Sequence, residues 1–391
     1  MNYKLNKKKA LIIGIHDWFS PIKVGSHHIA EVLSEKDDWE VLYISLPLSP
    51  LHSLSRKKET RYKERYKTYK SNGTKVNESL TSYVPYSYLV PNDKPFFNTK
   101  LVFKYWHHSS NLMKKITEFG FNNVDLLYMD NPIYSFLLES INYKKSVFRI
   151  ADNHKEFKGF TRIYGMSEEL LINKVDLVLY TAKELGDTIA KNAGQKMYFP
   201  NGVRFNHFQI KKEKNYIPKE LMGISKPICL YVGAIKEWFD YELVNYCAKR
   251  LPNFSFVIIG PMDKNNKTEN LDNVYFLGPK SYSDIPYYMN AANIGIIPFD
   301  VKNHEELINS VNPLKLYEYM SSGLPVVSTS WNEIEKCQSP AFLTNDYGEF
   351  VGNLKTASLL GKEKKDDYIS FARSNDWNNK VNRLLKHLQL I

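Results

Sequence analysis

Lys315 stands where a lysine is poorly placed for helix stability and well placed to bind an anion. The stretch Ser310–Thr329, SVNPLKLYEYMSSGLPVVST, reads as loop, helix, tight turn and strand. Asn312 suits the N-cap and Pro313 the first helical position, where its missing N–H costs nothing. Gly323 supplies a left-handed stop, Pro325 blocks continuation, and Val326 and Val327 open a buried strand. Lys315 then falls in the first turn, at the partly positive end of the helix dipole. A cation beside unbonded backbone N–H groups is accounted for if an anion, phosphate above all, sits between them. Glu318 follows on the same helix face, within reach of a neighbouring hydroxyl. A solvated lysine on an ordinary amphipathic helix is the competing reading.

The other candidates sit at the ends of apolar runs. FRIADNHKEF (Phe148–Phe157) puts Asp152 just past one such end. A carboxylate there can accept a proton from a hydroxyl. By position alone, capping the segment that follows is the favoured role. Asp130, after YM, and Asp17, after GIH, are rival strand-end carboxylates. Gly233 closes PICLYVG, where a missing side chain lets a ligand approach the backbone; a plain tight turn explains it equally well. Neither G-x-G-x-x-G nor G-x-x-x-x-G-K-[ST] occurs, which argues against nicotinamide and phosphate-loop sites. No two aspartates are spaced i, i+2, so an Asp-x-Asp metal site is absent and no metal is expected. His27 and His28, adjacent on a helix, point in different directions and with His16 make a poor metal set.

Elements able to position these residues alternate along the chain. KALIIGI, a helix near Ser26–Ser34 and WEVLYISLP open a parallel β-α-β layout. A basic stretch and the Pro/Tyr-rich Tyr83–Phe97 read as an irregular insertion, Lys100–Phe119 as a helix. DLLYM, SVFRI and DLVLYT read as inner strands covered on both faces. The pattern restarts with PICLYVG and continues through FSFVIIG, NVYFLG, NIGIIPF and PVVST. The 391 residues are too many for one core. We expect an α/β chain of two Rossmann-like, doubly wound domains facing across a cleft. The expected bounds are 1–205 and 206–375, followed by a C-terminal amphipathic helix, 376–391, able to cross back to the first domain. Strand carboxyl ends then converge on the cleft, where such sheets bind ligands.

Composition narrows the setting. The apolar run after KLNKKK is only about six residues, short of a signal-peptide core of ~7–15, and reads as a first strand. No run approaches the ~18 apolar residues of a membrane helix. Cys229, Cys247 and Cys337 have neither metal nor redox spacing, and their odd number argues against a disulfide framework. A cytoplasmic protein is expected. The net charge of +11 is concentrated in Arg56–Lys75, which holds nine Lys and Arg with Tyr62, Tyr66 and Tyr69 interleaved. Contact with an anionic surface is one reading and a solvated loop the other. No nucleic-acid module accompanies it, so a membrane face is the better partner.

These residues carry a family resemblance. NPLKLYEYMSSGLPVVS is similar to the C-terminal motif of two-domain GT-B glycosyltransferases. YVGAIKEWFDYELV, HDWFSPIKVGSHHIAEVL and RIADNHKEF look more narrowly like the xanthan-pathway glucuronosyltransferases and teichuronic-acid glycosyltransferases. The resemblance implies a nucleotide-sugar donor, usually a UDP-sugar, bound mainly by the second domain. It gives Lys315 the donor phosphates, Glu318 the ribose, loop Gly278–Lys280 the base, and Asp152 the role of catalytic base. Retaining members carry a Glu eight residues before the one matching Glu318. That position here is Ser310, so inversion is favoured. Acceptors of the subgroup are lipid-linked sugars at the inner membrane face, which the basic stretch fits. The expectation is an inverting, metal-independent transferase, peripherally membrane-associated, with Gly233, Lys280, Ser310, Asn312, Lys315 and Glu318 on the donor. The alternatives are a nucleotide-sugar epimerase of the same fold, a retaining transferase, and a basic scaffold or nucleic-acid binder.

Overall fold

The structure is a computed structural model that describes residues 7–20, 23–50, 61–87, 111–156, 161–210, 216–262, 269–361 and 363–391. The chain divides into two compact units, Met1–Phe199 with Val381–Ile391, and Pro200–Lys380. The division falls a few residues before the expected 205/206 because Val203–Phe205 is tied to the end of the second unit. Val203 N–H donates to the Asn375 carbonyl (3.1 Å), Trp377 N–H to the Val203 carbonyl (3.0 Å) and Phe205 N–H to the Asp376 carboxylate (2.9 Å).

The first unit is built on an eight-stranded sheet, β3-β4-β2-β1-β5-β6-β7-β8. Its strands are β1 (Lys8–Ile13), β2 (Trp39–Ile44), β3 (Thr74–Lys75), β4 (Leu80–Tyr83), β5 (Asn123–Met129), β6 (Asn142–Ile150), β7 (Leu177–Tyr180) and β8 (Lys196–Tyr198). All pairings are parallel except β3 with β4. The apolar runs β1, β2 and β5 are buried on both faces, as parallel strands under helices must be. Strand order reverses between β1 and β5, so Asp17 and Asp130 lie at the switch point and Asp152 follows the next strand out.

Two expectations for this unit change. Helix α1 (Gly25–Ser34) starts one residue before the expected Ser26, with Val24 as N-cap, and the His27 ring accepts the Val24 N–H (3.3 Å). The basic stretch is not all irregular. Tyr62–Lys70 forms helix α2, and the chain then enters the sheet as β3 and β4. Arg56–Lys58 and most of Tyr83–Phe97 lie outside the described residues, as do 100–110 of the expected helix; Leu112–Glu118 is helical. Helix α3 (Arg162–Lys174) is capped by Thr161, whose hydroxyl accepts the Tyr164 N–H (3.2 Å).

The second unit has an all-parallel six-stranded sheet, β11-β10-β9-β12-β13-β14. The strands are β9 (Ile228–Val232), β10 (Ser255–Ile259), β11 (Val274–Gly278), β12 (Ile294–Ile297), β13 (Val326–Ser328) and β14 (Phe342–Leu343). The order reverses between β9 and β12. Helix α4 (Leu314–Ser321) follows β12 and ends at Gly323, which holds φ +75° as a left-handed stop requires. The last helix, α5 (Trp377–His387), begins in the second unit and from Val381 belongs to the first, where Lys36 Nζ donates to Asn382 (2.7 Å). No described helix is long and apolar enough to cross a membrane.

Candidate functional site

In the second unit, α4 is fixed to the end of β9, and that places Lys315. The Tyr319 hydroxyl, one turn beyond Lys315, accepts the backbone N–H of Val232, the last residue of β9 (2.8 Å). Lys315 therefore lies over Gly233. A Cβ built on Gly233 would stand 2.4 Å from Lys315 Cε and 2.8 Å from Nζ. Gly233 also holds φ +153°, which side chains rarely adopt. Glycine is needed there twice over. The ammonium lies 5.3 Å from the ring centroids of both Tyr231 and Phe299 and forms no ion pair among the described residues.

Two further glycines extend this edge. Gly233, Gly260 and Gly278 each follow or end a strand at positive φ, in the neighbouring strands β9, β10 and β11. Gly233 N–H donates to the Ile259 carbonyl (2.9 Å) and Gly260 N–H to the Gly278 carbonyl (3.1 Å). A Cβ on Gly260 would overlap the Gly233 carbonyl oxygen. The sheet edge is therefore bare backbone over three strands. Of the three, the residues alone singled out Gly233 and the resemblance brought in Gly278 with its loop; Gly260 was missed, although YVG, IIG and FLG repeat the signal in plain view.

Burial shifts the two charged groups. It lowers Lys315 to about 8, with the nearby Glu318 opposing, and raises Glu318 to about 7, with Lys315 opposing. Both side chains remain half-buried. The N–H groups of Leu314 and Lys315 have no intrahelical acceptor, as at any helix start.

The remaining expected donor residues are placed differently. Asn312 is not the N-cap: α4 starts at Leu314 and Pro313 occupies that position. Asn312 is 3% exposed and its side chain is engaged at both ends. Its Oδ1 accepts from Asn201 N–H (3.0 Å) and the Tyr317 hydroxyl (3.2 Å), and its Nδ2 donates to Glu333 (3.0 Å). It holds the loop before the helix rather than presenting a group outward. Ser310 is buried, with Oγ donating to the Leu307 carbonyl (2.7 Å). Lys280 pairs with Glu220 (2.7 Å), and that contact draws Glu220 down to about 2.

In the first unit the rival carboxylates are engaged by arginines. Asp17 accepts from Arg61 (2.7 Å). Asp130 lies 3.8 Å from Arg149, both 2% exposed; burial pushes its carboxyl up and Arg149 opposes. Asp152 is half-exposed, just past β6, and no ion pair holds it among the described residues. The capping role that its position favours belongs instead to Asn153, whose Oδ1 accepts the Lys155 N–H (3.3 Å).

The chain matches two family models: the N-terminal domain of the glucuronosyltransferase GumK over residues 12–181, and glycosyl transferases group 1 over 226–356. TuaH of Bacillus subtilis strain 168, a protein named as a teichuronic acid biosynthesis glycosyltransferase, is 25% identical over 245 residues, 58% of this chain and 60% of that relative. The match thus spans less than two thirds of the curated relative's length. Among solved structures, sucrose-phosphate synthase of Thermosynechococcus elongatus aligns over 98% of this chain and 99% of its own, at TM-score 0.67 and 14% identity. Anabaena HepE, crystallised with UDP-glucose, aligns over 98% and 100% at 0.61 and 13%. The catalytic domain of Arabidopsis thaliana starch synthase IV aligns over 98% and 99% at 0.62 and 11%. Fold and family models point to one class: both units have the parallel α/β architecture of the GT-B structures, and each carries a match to a glycosyltransferase family model. Within that class it resembles GumK through its first unit and TuaH over more than half of its length.

Proposed function

We propose that the protein is an inverting, metal-independent glycosyltransferase that moves a hexose, glucuronate being one candidate, from a UDP-sugar to a lipid-linked saccharide in cell-surface polysaccharide synthesis. One observation carries the reading: the half-buried Lys315 ammonium, in no ion pair among the described residues, stands over Gly233, at a helix start, on a bare backbone edge. A desolvated cation with a carboxylate nearby but no ion pair is costly unless a ligand supplies a closer anion. A sugar-nucleotide diphosphate is such an anion, and its departure is the event that Lys315 would stabilise. Glu318 serves a ribose hydroxyl, and Asp152 takes the proton of the attacking acceptor hydroxyl. The uridine assignment is supported by HepE, crystallised with UDP-glucose, and the acceptor by TuaH, named for teichuronic acid biosynthesis. The basic α2 is the proposed contact with the inner membrane face. Asp152→Asn should abolish transfer while UDP-sugar binding persists; an active variant would move the base elsewhere. Activity unchanged in EDTA supports metal independence, and activity lost in EDTA and restored by Mg²⁺ or Mn²⁺ contradicts it. Incubating the donor alone separates a transferase from an epimerase, which would convert it without acceptor.

A further inference from the structure

We infer that Glu168, on α3 of the first unit, is a specificity-determining residue whose carboxyl hydrogen-bonds a hydroxyl of the acceptor sugar, next to the hydroxyl that Asp152 deprotonates. The inference rests on the reading of Asp152 as base.

Helix α3 brings Glu168 to the segment that carries Asp152. Tyr164 and Glu168 stand four residues apart on one face. The Tyr164 ring packs against the His154 ring with centroids 5.0 Å apart, and burial lowers the His154 imidazole with the nearby Asp152 opposing. Burial raises the Tyr164 hydroxyl, and the Glu168, Asp152 and Asp130 carboxylates add to the rise. The same helix packs against the turn Pro132–Tyr134 that follows β5. Glu168 therefore belongs to the strand-end cluster and not to the outer face of the helix.

The state of its carboxyl points to a ligand. Glu168 is 3% exposed, and its Oε1 has no hydrogen-bond partner among the described residues. Burial pushes the group up to about 7, with Lys155 opposing. A carboxyl enclosed with an unmet oxygen costs stability that a leucine or methionine in a helix would not. The preceding Ser167 satisfies its own hydroxyl on the Ile163 carbonyl (2.8 Å), whereas Glu168 Oε1, like Asp130 Oδ1 of the same unit, meets no partner among the described residues. Local cost of this kind persists where a group is used. A sugar hydroxyl, both donor and acceptor, suits a carboxyl that is protonated about half the time near neutral pH.

The test is steady-state transfer from UDP-glucose and UDP-glucuronate to a panel of alkyl glycosides, scored on the best wild-type pair, with melting temperatures read alongside. Glu168→Leu should raise the acceptor KM at least tenfold, leave the donor KM within twofold, and leave the melting temperature unchanged or higher. Glu168→Gln should raise the acceptor KM at least threefold. An acceptor KM within twofold of wild type in the folded variants overturns the inference, as does an equal rise in donor KM. If the Leu variant does not fold, the Gln variant decides alone. Wild-type enzyme inert towards the whole panel also overturns it. Asp152→Asn run in parallel separates the two ideas: transfer lost there with normal Glu168 variants defeats this inference only, and transfer retained there defeats the base assignment beneath it.

Discussion

At residue 315 the protein holds a half-buried cation between two aromatic rings, in no ion pair among the described residues. Removing one preorganised contact to developing charge costs ~3–4 kcal/mol, or about 10²–10³ in rate. Lys315→Ala should therefore lower kcat by that order with the melting temperature little changed, and turnover within a few-fold of wild type would count against the role. The depressed ammonium makes a second prediction. Free Lys315 loses its proton as pH rises through about 8, whereas a bound diphosphate would hold the proton on. Donor affinity should fall as pH rises from 7 to 9, with proton uptake on binding; calorimetry in buffers of different ionisation heat measures both. The stability signs are opposite in form. Lys315, depressed when folded, costs stability below its unfolded value of 10.5, and that cost is relieved as pH rises from about 8 towards 10.5. Glu318, raised when folded, contributes stability below its unfolded 4.5 that is lost as pH rises through about 7. Gly233→Ala sets a Cβ against Lys315 at a φ that costs ~1–3 kcal/mol, so it should both lower the melting temperature and weaken donor binding. Unchanged donor affinity in a folded Gly233→Ala enzyme would show that the two residues do not share a ligand.

At the scale of elements, α4 acts because it is tied down at both ends. Tyr319 bonds the end of β9, and Asn312 clamps the incoming loop through Asn201, Tyr317 and Glu333. Asn312→Ala should cost ~2–3 kcal/mol, since buried partners lose their hydrogen bonds, and should lower kcat through a displaced Lys315. A variant equally stable and equally active would show the clamp to be idle. Much of this helix was legible in sequence: the proline start, the Gly323 stop and the lysine in the first turn are local signals. What Asn312 does was not, because a good N-cap residue can also serve as a buried clamp, and only the partner at Asn201, 111 residues earlier, decides. The inner strands could be read from apolar runs. Strands β3 and β4 escaped because they are short, polar at one edge and preceded by a basic stretch that reads as loop. Asp152 is proposed as base through resemblance, whereas its position alone favoured capping, a role that Asn153 fills. Glu168 gave no sequence signal, since an acidic residue in a helix is ordinarily solvated.

For the whole molecule, the charge of +11 is a prediction about surfaces. Helix α2 presents Lys63, Lys67 and Lys70, with Tyr62 stacked on Tyr66 and Tyr69 on Tyr86. Each Lys near an anionic leaflet contributes about 1 kcal/mol. A Lys63→Glu, Lys67→Glu, Lys70→Glu variant should lose most of its binding to phosphatidylserine vesicles, and wild-type binding should weaken steeply with salt. Vesicle binding unaffected by the triple change would remove α2 from the membrane contact. The two-unit construction itself came through in sequence as a pattern that starts twice. The exact seam did not, because the tie between Val203–Phe205 and Asn375–Trp377 spans about 170 residues.

A crystal structure of the protein with UDP decides whether Lys315 meets the diphosphate. The diphosphate should lie over the glycine edge of the second unit, with a phosphate oxygen ~2.7–3.2 Å from Lys315 Nζ and the first-turn amides of Leu314 and Lys315 turned towards it. A nucleotide bound elsewhere, or phosphates that meet nothing at Lys315, would contradict this placement.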